Sequence, residues 1–119
     1  MSKAAIEAIV HEYFHGMYEG DAERLKAIFH ENCHLFGERK GEKREFPVSD
    51  FLDYVANAPI PKEEGEPYDM ELVSINRTGP VAVAHVRDLY QGGHFTDYLT
   101  CMETDQGWKI VNKAFYSED

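Results

Sequence analysis

The fold is decided by the stretch 95-FTDYL-99, which continues after a tight turn as 107-GWKIVNK-113. Both segments are rich in β-branched and aromatic residues, and the turn at 105–107 ends in glycine, so the pattern predicts a hairpin. A further strand is predicted at 81–91, ahead of this hairpin. The last third of the chain is therefore expected to form a three-stranded antiparallel run.

Helices are predicted to precede these strands. One helical face near the start of the chain is apolar, with members at Ile6, Ile9, Val10, Tyr13, Phe14, Met17 and Tyr18. Gly20 is expected to end this helix, and Asp21 is placed to cap a short second one. Ser49 is expected to cap a third helix that runs through Ala56.

The remaining segments complete an α+β prediction. Short strands are expected at 34–37 and near 45–46, an exposed loop at 58–67, and a longer strand at 68–77. Helices first and an antiparallel sheet second predict a layered fold with the helices on one face of the sheet. We expect a single domain over 1–119.

Composition narrows the classes of partner. Across 119 residues, 22 acidic and 12 basic side chains give a net charge of −10. Such a surface repels phosphates and anionic lipids, so we expect neither a nucleic acid nor a membrane as partner. Two cysteines, Cys33 and Cys101, are most simply reduced thiols, and we expect a cytoplasmic protein. No motif indicates a cofactor, and we expect none.

The first helix contains a His-Glu-x-x-His string at 11–15, the spacing of zinc proteases. At about 100° per residue, His11, Glu12 and His15 lie away from the apolar stripe and are predicted to face solvent. We therefore expect no metal site there.

Asp97 is the leading candidate for catalysis. Alternation along its strand places it on one face with Phe95 and Leu99, where an apolar environment favours the neutral acid. A carboxyl group of that kind is suited to general acid–base work. The structural alternative is a buried carboxylate held by Lys113, by Arg87 or by backbone amides.

Other candidates are polar or aromatic residues near predicted strands. His34 is a possible catalytic partner for Asp97, since a carboxylate fixes the tautomer of an imidazole and raises its basicity. Tyrosines have apolar bodies and polar tips that suit a pocket lining. The tyrosines considered for that role are Tyr13, Tyr18, Tyr54, Tyr90 and Tyr98.

With these residues in hand, the chain resembles the nuclear transport factor 2-like superfamily, and within it the "Putative lumazine-binding" family. The resemblance is carried by 13–21, by 29–30, and by 95–99 together with 107–113. It implies a SnoaL-like cone, in which N-terminal helices pack in the concave face of a curved antiparallel sheet. It also implies a homodimer formed through the outer face of the sheet.

The same resemblance implies a pocket between the concave face and the first helices. The implied pocket residues are Tyr13, Met17, His34, Asp97 and Asn112. Trp108 and Ile110 would share the face of Asn112, and Lys113 would point the other way.

Three functions remain open on the sequence. The first is a module that binds an unknown small apolar or aromatic molecule without turnover, with Tyr13, Met17, Tyr54, Tyr98 and Asn112 as ligand-binding residues. The second is a cofactor-independent lyase, isomerase or cyclase with Asp97 and His34 as catalytic residues. The third is a protein-interaction role, which is supported only by the acidic surface. Fold alone does not choose among them.

Overall fold

A computed structural model describes residues 3–119, which form three helices and six strands. In chain order these are α1 (Ala4–Glu19), α2 (Ala22–Lys26), β1 (Phe29–Arg39), β2 (Glu42–Pro47), α3 (Val48–Asn57), β3 (Met70–Thr78), β4 (Val81–Tyr90), β5 (Gly93–Thr104) and β6 (Gly107–Ser117). The predicted α+β class is confirmed, with the helices packed against a curved sheet of all six strands.

The sheet has the order β2-β1-β6-β5-β4-β3. Four neighbouring pairs are antiparallel, as predicted, but β1 and β6 run parallel, with His34 beside Asn112 and Phe36 beside Ala114. A parallel pair needs a long connection, and the segment from β2 through β5 supplies it. The sheet is therefore mixed.

The first helix behaves as its apolar spacing predicts. Its buried face includes Ile6, Val10, Tyr13 and Met17, which pack against the concave side of the sheet. Gly20 ends α1 in the left-handed region at φ 63°, a conformation that glycine adopts without strain. The Asp21 carboxylate then accepts a hydrogen bond from the backbone N–H of Arg24 at 3.0 Å, which confirms the predicted cap of α2.

The third helix begins earlier than predicted. It starts at Val48, its N-cap is Pro47, and no side chain caps it, so the prediction that Ser49 is the cap is wrong. Pro47 has the extended backbone of a strand end at φ −74° and ψ 161°. Because proline fixes φ near this value, β2 passes directly into α3 without a capping turn.

The hairpin between β4 and β5 turns at Gln91 and Gly92, so β4 ends one residue before the end of the strand predicted at 81–91. Both residues have positive φ, 51° and 80°, as a tight hairpin with two turn residues requires. The Glu66 carboxylate accepts hydrogen bonds from the backbone N–H groups of Gln91 at 3.0 Å and Gly92 at 2.7 Å. The loop after α3 thus holds this turn in place.

Two further features bear on the environment of the chain. Across residues 3–119, no helix is long and apolar enough to cross a membrane. Cys33 and Cys101 are free thiols, buried on the concave side. Burial raises the pKa of each thiol to about 12, so neither is a ready nucleophile near neutral pH.

Candidate functional site

A cavity of about 520 Å³ lies between the concave face of the sheet and helices α1 and α3. Its wall is mainly apolar and aromatic, with a few charged groups. The lining residues are Met17, Leu35, Arg39, Arg44, Phe46, Asp50, Phe51, Tyr54, Asp88, Tyr90, Gln91, Phe95, Lys113 and Phe115. A space of this size and character suits a small organic molecule.

Two charged side chains lie deep in this cavity. Asp88 belongs to β4, where it shares the concave face with Ala84 and Val86, and it is 3% exposed. Lys113 belongs to β6 and is 6% exposed. A buried carboxyl group and a buried amine on one cavity floor are costly to fold and therefore point to a function.

A bulge in β6 places Lys113 in the cavity. Thr100 pairs with Asn112 and Cys101 pairs with Ile110, so Val111 is an extra residue on β6. Beyond it the alternation is inverted, and Lys113 lies on the same face as Ile110. The predictions that Asn112 shares that face and that Lys113 points away are therefore wrong.

Asp97 lies behind the cavity floor. It is 1% exposed, it is not among the lining residues, and its Oδ2 accepts a 2.7 Å hydrogen bond from the Tyr13 hydroxyl. Asp97 pairs with Val86 across the strands, so Asp88 is its diagonal neighbour on the same face of the sheet. Asp88 thus lies at the cavity, beside Asp97, which the Tyr13 hydroxyl holds.

The two carboxyl groups are partly unsatisfied. Within the described part of the chain, Asp88 Oδ1 and Asp97 Oδ1 are buried and have no hydrogen-bond donor. Burial and a neighbouring carboxylate both favour the neutral form of a carboxyl group. Asp88 is thus placed to hold a proton beside the cavity.

The electrostatics of the pair agree with that arrangement. Burial, first, and then the neighbouring Asp97 raise the pKa of Asp88 well above its ordinary value of 3.8, and Lys113 offsets this in part. Burial and Asp97 likewise raise the pKa of Tyr13 well above its usual range, so its hydroxyl stays protonated as a donor.

Lys113 Nζ lies among aromatic rings. It is 4.6 Å from the ring centroid of Phe51, 5.0 Å from that of Tyr13 and 5.6 Å from that of Phe115. Among residues 3–119 it makes no ion pair within 4.0 Å and no side-chain hydrogen bond. The rings hold the amine in place through cation–π contacts and leave its N–H groups uncommitted.

Polar residues surround the outer part of the cavity. Tyr54 on α3 is half exposed and donates a hydrogen bond from its hydroxyl to the side chain of Gln91. The Arg39 guanidinium lies 5.0 Å from the ring centroid of Phe95 and donates to the Gln91 carbonyl at 3.3 Å. These contacts join α3, β1 and the β4–β5 turn around one opening.

Three predicted site residues lie on the opposite, outer face of the sheet. His34 faces Glu45, at 3.2 Å between Nε2 and Oε2, and its carbonyl accepts a hydrogen bond from the Asn112 side chain at 3.2 Å. Tyr98 is half exposed and stacks on His85 at 4.8 Å between ring centroids. His34 lies level with Asn112 and Thr100 on the outer face, whereas Asp97 lies on the concave face of the same sheet. The predicted pairing of His34 with Asp97 is therefore wrong.

The structure brings together part of the predicted site and adds two residues. Met17 and Tyr54 line the cavity, and Tyr13 and Asp97 lie behind its floor in contact with each other. Asp88 and Lys113 were not predicted as cavity residues. Alternation along β4 already marks Asp88, since it continues the apolar series Ala82, Ala84 and Val86.

The His-Glu-x-x-His string lies on the side of α1 that faces away from the sheet. Arg24 binds the Glu12 carboxylate with two hydrogen bonds, of 2.7 and 2.9 Å, and holds the pKa of that carboxyl below its usual value. The ring of His15 stacks on Tyr68 at 5.5 Å. These contacts give Glu12 and His15 a structural role.

Comparison with known proteins finds a family match over nearly the whole chain. The family described as "Putative lumazine-binding" matches residues 1–116. A curated relative, the aldolase FrzH of Cladobotryum sp, is 25% identical over 115 residues, which span 95% of this chain and 89% of that protein.

Solved structures agree on the fold. An NTF-2 like protein of unknown function from Silicibacter pomeroyi superposes with a TM-score of 0.82 at 24% identity, over 98% of this chain and 99% of that one. An NTF2-like protein of unknown function from Shewanella baltica gives a TM-score of 0.85 at 21% identity, over 98% and 93% of the two chains. At these identities the likeness concerns the fold alone.

Proposed function

This chain belongs to the "Putative lumazine-binding" family, within the nuclear transport factor 2-like superfamily, and on that premise we propose that its cavity is an active site for a small carbonyl compound. The proposed chemistry is proton transfer at the carbon next to the carbonyl group, as in an aldol, retro-aldol or related lyase reaction. Asp88 is the proposed general base and acid. Asp97, which does not reach the cavity, is a positioning residue.

The observation that carries this proposal is the pair of buried carboxyl groups that lie side by side on neighbouring strands, of which only Asp88 faces the cavity. A carboxyl group whose pKa is raised by burial is a stronger base when ionised and can return the proton in a later step. Asp97, fixed by the Tyr13 hydroxyl, is placed beside Asp88 to orient its carboxyl group.

The rest of the cavity fits a carbonyl substrate. Proton removal next to a carbonyl group transfers negative charge to its oxygen, and a positive charge nearby stabilises that oxygen. Lys113 supplies such a charge on the same floor, while Phe51 and Phe115 offer apolar surface for the body of the molecule. The similarity to a protein named an aldolase supports this class of reaction.

The experiment is deuterium exchange. Wild-type protein is incubated in D2O with 4-phenylbutan-2-one, an apolar aromatic ketone, and loss of the proton signals next to the carbonyl is followed by NMR. We expect exchange above the buffer rate, and Asp88→Asn is expected to lower the enzymatic rate by roughly 10² to 10⁴-fold. Asp53→Asn, which removes an exposed carboxylate of α3 that does not line the cavity, is the matched control and is expected to retain the rate.

Equal exchange rates for wild type and Asp88→Asn would contradict the assignment of Asp88.

Binding without turnover is a second candidate, favoured by the aromatic lining of Phe46, Phe51, Tyr54 and Phe95. Titration with lumazine, followed by its fluorescence, distinguishes the two. Saturable binding that Phe51→Ala abolishes, together with no exchange on any ketone of a small panel, would favour the binding module.

We also propose that the protein forms a homodimer through the outer face of its sheet. Large apolar side chains are about half exposed there, on adjacent strands; they are Phe36, Val81, Tyr98, Met102 and Tyr116. Exposed apolar area of this kind, concentrated on one face, is characteristic of surfaces that are covered in an assembly.

A further inference from the structure

The buried amine of Lys113 has a feature that a purely electrostatic role does not need. Its Nζ lies at the cavity floor among three aromatic rings, and within residues 3–119 it neutralises no carboxylate at ion-pair distance. A lysine in an apolar pocket, with access to a ligand, has the placement that favours reaction with carbonyl groups.

We propose that Lys113 forms a covalent imine with a ketone or aldehyde bound in the cavity. The inference rests on the proposed function for the identity of the ligand as a carbonyl compound. It goes further, because it makes the amine a nucleophile rather than a fixed positive charge.

The step balances with groups on the cavity floor. After Lys113 Nζ has lost one proton to solvent, its lone pair forms a bond to the carbonyl carbon. The carbonyl oxygen then gains a proton and the nitrogen loses one, which gives a carbinolamine. Its hydroxyl then takes a proton from the Asp88 carboxyl and leaves as water, and the C=N bond forms. An imine that is protonated on nitrogen withdraws electrons from the adjacent carbon, so the proton that Asp88 removes there becomes more acidic.

The cavity geometry fits this sequence. Asp88 on β4 and Lys113 on β6 flank β5, and both project from the concave face into one space. The rings of Phe51 and Phe115 cover the amine from the sides, which excludes water from the C=N bond. Because Val111 forms a bulge, the Lys113 side chain projects from the concave face and its Nζ reaches the cavity.

The test is reductive trapping of the wild-type protein. The chain is incubated with 4-phenylbutan-2-one and sodium cyanoborohydride, digested, and mapped by mass spectrometry. We expect at least about tenfold more adduct on Lys113 than on any surface lysine, since a ketone bound in the cavity lies beside Lys113 alone. Adduct spread over surface lysines, with none on Lys113, would overturn the inference without the need for any variant.

Two substitutions separate charge from covalent chemistry. Lys113→Arg keeps a positive charge but has no amine that forms an imine, and Lys109→Arg is the matched control on the same strand. If the imine matters, Lys113→Arg loses both trapping and deuterium exchange, whereas Lys109→Arg retains both. Undiminished exchange in a folded Lys113→Arg variant would overturn the inference.

The two proposals fail in different ways. If Lys113 is trapped but wild type exchanges no deuterium, the covalent step stands and proton transfer by Asp88 falls. If wild type exchanges deuterium and Asp88→Asn does not, while trapping at Lys113 is absent, the proposed function stands and the imine is refuted.

Discussion

At the scale of single residues, the cavity floor gains its chemical character at the expense of folding stability. Asp88 and Asp97 are buried side by side, and each has an oxygen without a donor in the part of the chain that the structure describes. Unsatisfied buried carboxyl oxygens cost free energy that a purely structural design avoids. This cost predicts that changes at the floor alter stability and activity in opposite directions.

Asp88→Asn is expected to be more stable than wild type, and the difference in stability is expected to grow as the pH rises. The pKa of Asp88 is raised in the folded state above its ordinary value of 3.8, so the folded state holds a proton that the unfolded chain has released. Wild type therefore loses stability as the pH increases from about 4 towards that raised value, and the Asn variant lacks this loss. The gain in melting temperature should grow as the pH rises above about 4; a constant difference would contradict the prediction.

Tyr13→Phe is expected to destabilise the fold by about 1–3 kcal/mol, because it leaves Asp97 Oδ2 without its buried donor. Chemical denaturation gives the free energy of unfolding. Tyr18→Phe is the matched control, since its hydroxyl donates to the Glu66 carbonyl in a partly buried place. Equal losses of unfolding free energy in both variants would show that the Tyr13–Asp97 hydrogen bond stabilises the fold no more than the partly buried Tyr18 hydrogen bond does.

At the scale of secondary structure elements, the β1–β6 contact depends on one missing side chain. A Cβ atom built on Gly37 would overlap the ring of Phe115, which lies across it from the neighbouring strand. Gly37→Ala is expected to cost about 1–3 kcal/mol of unfolding free energy through overpacking. Phe115→Ala should relieve the clash, so the second substitution is expected to cost less in that background; additive losses would refute the steric explanation.

Strands β4, β5 and β6 show what the sequence could and could not predict. The face of Asp97 follows from regular alternation of Phe95, Leu99 and Cys101, and the structure confirms it. Beyond Val111 the prediction fails, since one extra residue inverts every later face and leaves no mark in the composition of β6. Asp88 was visible in the pattern of β4, but its place beside Asp97 needs the register of two strands, which local pattern does not specify.

At the scale of the whole molecule, the two faces of the sheet have separate tasks. The concave face builds the cavity, and the outer face exposes large apolar side chains. Placing a charge on the outer face is expected to separate the proposed dimer: Tyr98→Glu should be a monomer by light scattering at concentrations where wild type is a dimer. Tyr68→Glu, at a half-exposed tyrosine off the sheet, is the control. A wild-type monomer would contradict the proposal.

The parallel pairing of β1 with β6 also determines when the sheet can fold during synthesis of the chain. The Asn112 side chain and the His34 carbonyl that it bonds are 78 positions apart, so β1 lacks an inner neighbour until β6 has left the ribosome. Until then the nascent chain holds a helical segment and an incomplete sheet with its apolar side uncovered, a state that invites chaperones and aggregation. Translation must therefore pass β6 before the cone can close.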